Sequence, residues 1–152
     1  MALVTGAEIV TKISQFTNTE AALFKNEYIV AAQLEYLKPT LGNDFYDEVV
    51  AGTWDSDDVM TYIKNCMYYY AGAMSIAFLF AQLGSKGLFV NNDDYSRAVT
   101  SQELALIKKS LLEVGDAYKK ELVRFLYDNQ DDYDEYEIAT TYQQRTGGFV
   151  VD

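Results

Sequence analysis

The sequence contains no histidine, one cysteine and one proline, and its 12 basic residues are outnumbered by 23 acidic ones. Without histidine there is no Ser-His-Asp triad and no Cys-His pair, and Cys66 alone makes no Cys-rich zinc site. The commonest nucleophilic and metal chemistry is therefore missing. The chain reads as a protein that is not an enzyme, with no catalytic, cofactor-binding or metal-ligating set expected. A single thiol makes no intramolecular disulfide, which fits a reducing compartment without requiring one. The shortage of lysine and arginine gives a net charge of −11. That argues against sequence-independent nucleic-acid binding, because phosphate contacts need clustered cations. Met1 to Glu8 has neither a basic region nor a long apolar run, so no signal peptide is expected.

What is present is apolar mass. Of the 152 residues, 49% are hydrophobic and 14% aromatic, too much for a disordered acidic chain and enough for a buried core. The length fits one folded domain.

The periodicity is helical. Thr5 with Glu8 forms a capping-box spacing ahead of a short helix to about Gln15. Asn18 or Thr19 offers a second cap, followed by apolar positions from Ala22 to Leu37 in a helix expected to end before Pro39. Phe45, Val49 and Val50 predict a third helix, closed by Gly52. Asp55 or Ser56 can cap a long segment over 57–83, in which Val59, Ile63, Cys66, Met67, Tyr70, Met74, Ala77 and Ala81 recur at threes and fours. This segment has no charged residue from Asn65 to Ser85, which raises a membrane-spanning reading. Asn65, Gln82 and the run Tyr68-Tyr69-Tyr70 speak against it, and a central core helix is expected instead.

Gly84 to Thr100 breaks the pattern. Leu88-Phe89-Val90, the turn-prone Asn91-Asn92-Asp93-Asp94 and the alternation of Tyr95, Arg97 and Val99 read as an extended excursion with the makings of a loose hairpin. Thr100 or Ser101, with Glu103, then opens an amphipathic helix through Leu104, Ile107, Leu111, Val114, Tyr118, Leu122 and Phe125 to about Tyr127. Beyond Tyr127 lie seven acids and one base, Arg145, so more than half of the net charge sits in the last sixth of the chain. The expected organisation is a helical body over 1–127 and an acidic linker with a C-terminal arm over 128–152, the arm ordering on a partner.

Known motifs find little hold. No two carboxylates stand out as a glycosidase-like acid and base. Neither Asp55-Ser56-Asp57-Asp58 nor the run from Asp128 to Glu137 meets the calcium-loop pattern. Gly84-Ser85-Lys86-Gly87 lacks the rest of a phosphate-binding loop. The three consecutive tyrosines cover most sides of a helix, so beyond the one that enters the core the others face a neighbouring helix or another chain. Tyr68 and Tyr69 are accordingly candidate interface aromatics.

The stretch from Glu27 to Val49, with Leu37-Lys38-Pro39-Thr40-Leu41-Gly42 at its centre, resembles the helix, Pro-x-Leu-Gly break and short following helix of small head-to-tail connector (adaptor) proteins of tailed bacteriophages, of the type found in phages of Bacteroidetes hosts. The order of parts is also similar. The resemblance implies an all-α bundle of about five helices, two of them long, with a long extended loop over 84–100 and an extended C-terminal arm. It implies a structural virion protein made in the host cytoplasm: a homo-oligomeric ring, commonly of twelve copies, beneath the portal at the head-to-tail junction. Portal and tail proteins would be its partners, and DNA would pass through without specific binding and with no membrane involved. On that reading Leu88, Phe89, Val90 and Tyr95 form the inter-subunit loop. Tyr142, Phe149, Val150 and Val151 form the arm that binds portal or neighbour. A ring contact is heterologous and needs two different patches on each subunit, which a loop and an arm supply. The alternative is an acidic inhibitor or DNA mimic whose carboxylates occupy a basic cleft on a nuclease or regulator.

Overall fold

The computed structural model describes residues 1–82, 89–92, 95–98, 100–133 and 136. Within them the chain is an all-α bundle with one small β-hairpin. The α-helices are α1 (Gly6–Lys12), α2 (Asn26–Ala32), α3 (Lys38–Leu41), α4 (Asn43–Ala51), α5 (Asp58–Gln82) and α6 (Ser101–Asp128). Because a π turn over Gln33–Leu37 joins α2 to α3, the described helices form five units.

Both capping boxes form. The Thr5 hydroxyl accepts the Glu8 N–H and the Glu8 carboxylate accepts the Thr5 N–H; Thr100 and Glu103 do the same for α6. Gly52 closes α4 in the left-handed conformation at φ 86°, where a side chain would be strained. The cap of α5 falls one or two residues later than expected: the Asp57 carboxylate, not Asp55 or Ser56, accepts the Val59 N–H at 3.1 Å.

Two sequence expectations are corrected. The second helix does not begin at Asn18 or Thr19. Two 3-10 turns, Ser14–Phe16 and Ala21–Leu23, intervene, and α2 starts at Asn26 without a side-chain cap. Burial decides this, since the turns let Phe16 and Phe24 enter the core together, edge to face at 5.1 Å. A Cβ on Gly6 would overlap the Ala21 carbonyl, so α1 and the second turn approach in backbone contact. The helical path also does not end before Pro39. The π turn, in which the Lys38 N–H bonds to the Gln33 carbonyl, restarts the helix and puts Pro39 in the first turn of α3, where a missing N–H costs nothing.

The bundle is built around α5, where Val59, Ile63, Cys66, Met67, Tyr70, Ala71 and Leu79 are almost fully buried. Each large apolar side chain so buried contributes about 1.5–3 kcal/mol. Helix α6 runs antiparallel to it, as the pairs Tyr62 with Phe125, Tyr69 with Tyr118 and Tyr70 with Asp116 show. Between them, at the end where α5 finishes and α6 begins, β1 (Phe89–Asn92) pairs antiparallel with β2 (Tyr95–Ala98), in the register Phe89 to Ala98 and Asn92 to Tyr95. No helix among the described residues is long and apolar enough to cross a membrane.

Candidate functional site

Of the residues singled out in the sequence, Leu88, Tyr142, Phe149, Val150 and Val151 lie outside the described residues. Phe89 and Val90 fall in β1 and Tyr95 in β2, so the expected excursion between the long helices takes hairpin form. The tyrosine run is divided differently from expectation. Two of the three, Tyr68 and Tyr70, are buried in the core, and Tyr69 stacks on Tyr118 of α6 at 5.4 Å. Neighbouring helices of the same chain therefore take up all three rings.

Tyr70 is the centre of a polar group on the α5–α6 seam. Its hydroxyl donates to Asp116 at 2.7 Å, Lys119 pairs with the same carboxylate at 3.0 Å, and Tyr36 stacks on the Tyr70 ring at 4.5 Å. Burial and the Asp116 carboxylate push the Tyr70 hydroxyl well above its ordinary pKa. Partial burial pulls Asp116 up, but the Tyr70 hydroxyl and Lys119 outweigh it and hold the carboxyl below its usual range. Burial pushes the Cys66 thiol up to about 12, so it is no nucleophile.

A second buried polar residue, Gln33, holds the N-terminus. Its side-chain oxygen accepts the Leu3 N–H at 2.7 Å, and its amide donates to the Met1 carbonyl and the Tyr46 hydroxyl. The π turn opens at this residue, so the irregular backbone and the buried amide form one arrangement.

The third grouping lies at the other end of the long helices, where α4, the turn before α5 and the end of α6 meet. Phe45, Trp54, Phe125, Tyr133 and Tyr136 form an aromatic cluster with ring centroids 5.1–6.0 Å apart. The Tyr133 hydroxyl donates to Asp57 at 2.5 Å across 76 positions of sequence, and the Trp54 ring N–H donates to Glu48 at 3.0 Å. The Tyr133 bond, with the Val59 N–H second, lowers the Asp57 carboxyl below its ordinary value. Burial, then that same bond, raises Tyr133. The boundary expected after Tyr127 is thus crossed: a 3-10 turn, Gln130–Asp132, follows α6, and Tyr133 and Tyr136 are buried in the body. The signal for this was the spacing of two tyrosines three apart inside an acidic run.

This corner concentrates the charge. Six carboxylates between Asp44 and Asp58, together with Asp131 and Asp132, carry no lysine or arginine among them, while the other charged residues among those described nearly balance at nine acids and ten bases. Two acidic stretches remote in sequence are brought together by the Tyr133 contact. Among the described residues, no group of three or more Cys, Asp or Glu is placed to hold a metal ion. The geometry brings together packed rings and a charged corner.

The fold and its corners define a small acidic helical bundle. Residues 16–146 match the model of a family of unknown function (DUF6712), and the chain belongs to that family. No curated protein and no solved structure matches it.

Proposed function

We propose that this chain is a structural virion protein, a head-to-tail connector whose copies form a ring beneath the portal and join capsid to tail, allowing DNA passage. The observation that carries the reading is the α5–hairpin–α6 unit: two long antiparallel helices with β1 and β2 between them at one end, and the acidic 3-10 turn Gln130–Asp132 following α6 at the other. A subunit with distinct elements at opposite ends has the two unlike patches that a closed heterologous ring requires. The resemblance over Glu27 to Val49 supports the same reading, its Pro-Thr-Leu-Gly break being the junction of α3 and α4 at Gly42, where φ is 80°. An excess of negative charge would let packaged DNA slide past without adhering. The protein works by shape, with no catalytic group, cofactor or membrane, at the head-to-tail junction of the virion.

The test is mass by light scattering with electron microscopy, on the protein alone and mixed with the portal of the same phage. Rings in either sample support the proposal, and a monomer in both removes it. A second reading, an acidic inhibitor or DNA mimic, draws on the corner of eight carboxylates, which present negative charge on folded structure. That reading predicts a persistent monomer that competes with DNA for a basic cleft on a nuclease or regulator.

A further inference from the structure

Helix α6 sorts its exposed side chains by side. Tyr118, Glu121, Phe125 and Asp128 follow one another at steps of three and four, so they share a face. On it Tyr118 stacks on Tyr69 of α5 and Phe125 on Tyr62, and a cleft of about 250 Å³ opens between Tyr62, Glu121, Arg124, Phe125, Asp128 and Asn129. The one cation lining that cleft, Arg124, is 3.7 Å from Asp128. Lys109, Asp116 and Lys120, at steps of seven and four, share another face, where Asp116 takes the Tyr70 hydroxyl and Lys119. Successive residues turn by about 100°, which sets Tyr118 and Glu121 opposite Lys119 and Lys120 across the helix axis. One side of α6 thus carries rings and carboxylates, the other lysines. Glu121 and Lys120 are both exposed, and neither forms an ion pair among the described residues. Unlike faces on opposite sides of one helix, complementary in charge, are what a head-to-tail contact between identical copies requires.

We propose that this chain binds a second copy of itself side by side, the long helices parallel, with Lys119 and Lys120 of one copy set against Tyr118, Glu121 and the Tyr62–Phe125 cleft of the next. The levels match. Lys120 and Glu121 are adjacent in sequence and about 1.5 Å apart along the axis, so rotation about an axis parallel to α6 brings them to the same height in neighbouring copies. A lysine arriving there meets a carboxylate without a cation and the open part of the Tyr118 ring. The chain already sets lysines over rings twice, Lys38 over Tyr46 at 5.3 Å and Lys119 over Tyr70 at 5.8 Å. The inference rests on the connector reading in taking a second copy as the occupant, and it names the faces by which the copies meet.

The experiment measures mass by light scattering on the full chain, alone and with the portal of the same phage. It compares the wild type with Lys120→Glu, with Glu121→Lys and with an equimolar mixture of the two variants, folding being checked by circular dichroism and melting temperature. Each variant alone sets like charges across the contact and should raise the dissociation constant more than about tenfold. In the mixture the two altered faces meet with opposite charges, and association should return. Lys120→Gln and Glu121→Gln, which remove charge without reversing it, serve where a reversal disturbs folding, and each should weaken association less than reversal does. Wild-type oligomers that persist unchanged in the variants overturn the inference and leave the connector reading standing. Reversed variants that dissociate and do not recover on mixing overturn it too, since the two charges then do not face each other. Association that follows the charges but never engages the portal overturns the connector reading alone. A wild type that stays monomeric with and without portal overturns both.

Discussion

Gly115 of α6 lies directly against the ring of Tyr70 on α5: a Cβ at Gly115 would come within 2.8 Å of Tyr70 Cε1. The ring has nowhere to go, since Asp116 holds its hydroxyl and Tyr36 covers one face. Gly115→Ala gains about 1 kcal/mol of helix propensity, yet the overpacking it causes costs about 1–3 kcal/mol and dislodges a buried hydrogen bond. The expected result is a less stable protein, by about 1–2 kcal/mol in denaturant unfolding. A variant as stable as the wild type would show that the seam yields more easily than its packing indicates.

Gln33→Leu should free the N-terminus. The substitution keeps the volume roughly but leaves the Leu3 N–H without its acceptor, and Leu3 and Val4 are buried on the core. Stranding a buried donor costs about 1–3 kcal/mol. Exchange at the Leu3 amide should accelerate by more than the global destabilisation explains, which separates loss of the staple from general weakening.

These two residues illustrate what a sequence displays and what it conceals. Thr5 with Glu8, Thr100 with Glu103 and Gly52 act through neighbours within a turn, so short spacing rules find them. The apolar stripe of α6 is equally local. The π turn at Gln33 is not, because it depends on a side chain buried 30 positions away from the Leu3 N–H that it satisfies. Pro39 consequently resembled a helix stop while lying in the first turn of α3. Tyr133 looked like part of an acidic linker because Asp57, the group that holds it, is 76 residues distant. The same separation hid the charged corner, which is assembled from two stretches that look unrelated in sequence.

The Tyr70–Asp116 pair should give stability a signature at both ends of the pH scale. Asp116 is depressed in the folded protein, so its contribution is complete above the ordinary aspartate value of 3.8 and is lost as pH falls through the folded value. Tyr70 is raised, so its contribution is complete below the ordinary value of 10.0 and is lost as pH rises further. Asp116→Asn should therefore flatten both limbs of a melting profile taken against pH, while lowering stability in the middle. An unchanged acid limb would assign acid sensitivity to other carboxylates, Glu8 and Asp57 first, since both are also depressed.

Replacing Leu88, Phe89 and Val90 by serine separates a role in assembly from a role in the core. If the hairpin serves neighbours, as the connector proposal requires, ring formation should fail while the melting temperature of the monomeric bundle moves by less than about 2–4 °C, the shift that 1 kcal/mol produces in a chain of this size. A drop well beyond that, with rings still forming, would make these side chains part of the chain's own packing.

Tyr69 supplies the corresponding test on the helices. It stacks on Tyr118 at an interplanar angle of 19°, and Tyr118 keeps 38% of its surface exposed. A stacked pair of this kind is worth about 0.5–1.5 kcal/mol beyond the area it buries. A double-mutant cycle of Tyr69→Ala and Tyr118→Ala, read by denaturant unfolding of the monomer, should return a coupling in that range. If the pair also contributes to a subunit contact, the same cycle read by assembly should return a larger coupling, because the exposed part of Tyr118 would then be covered as well. Equal couplings in the two measurements would confine both tyrosines to the fold and leave subunit contacts to the hairpin and the C-terminal segment.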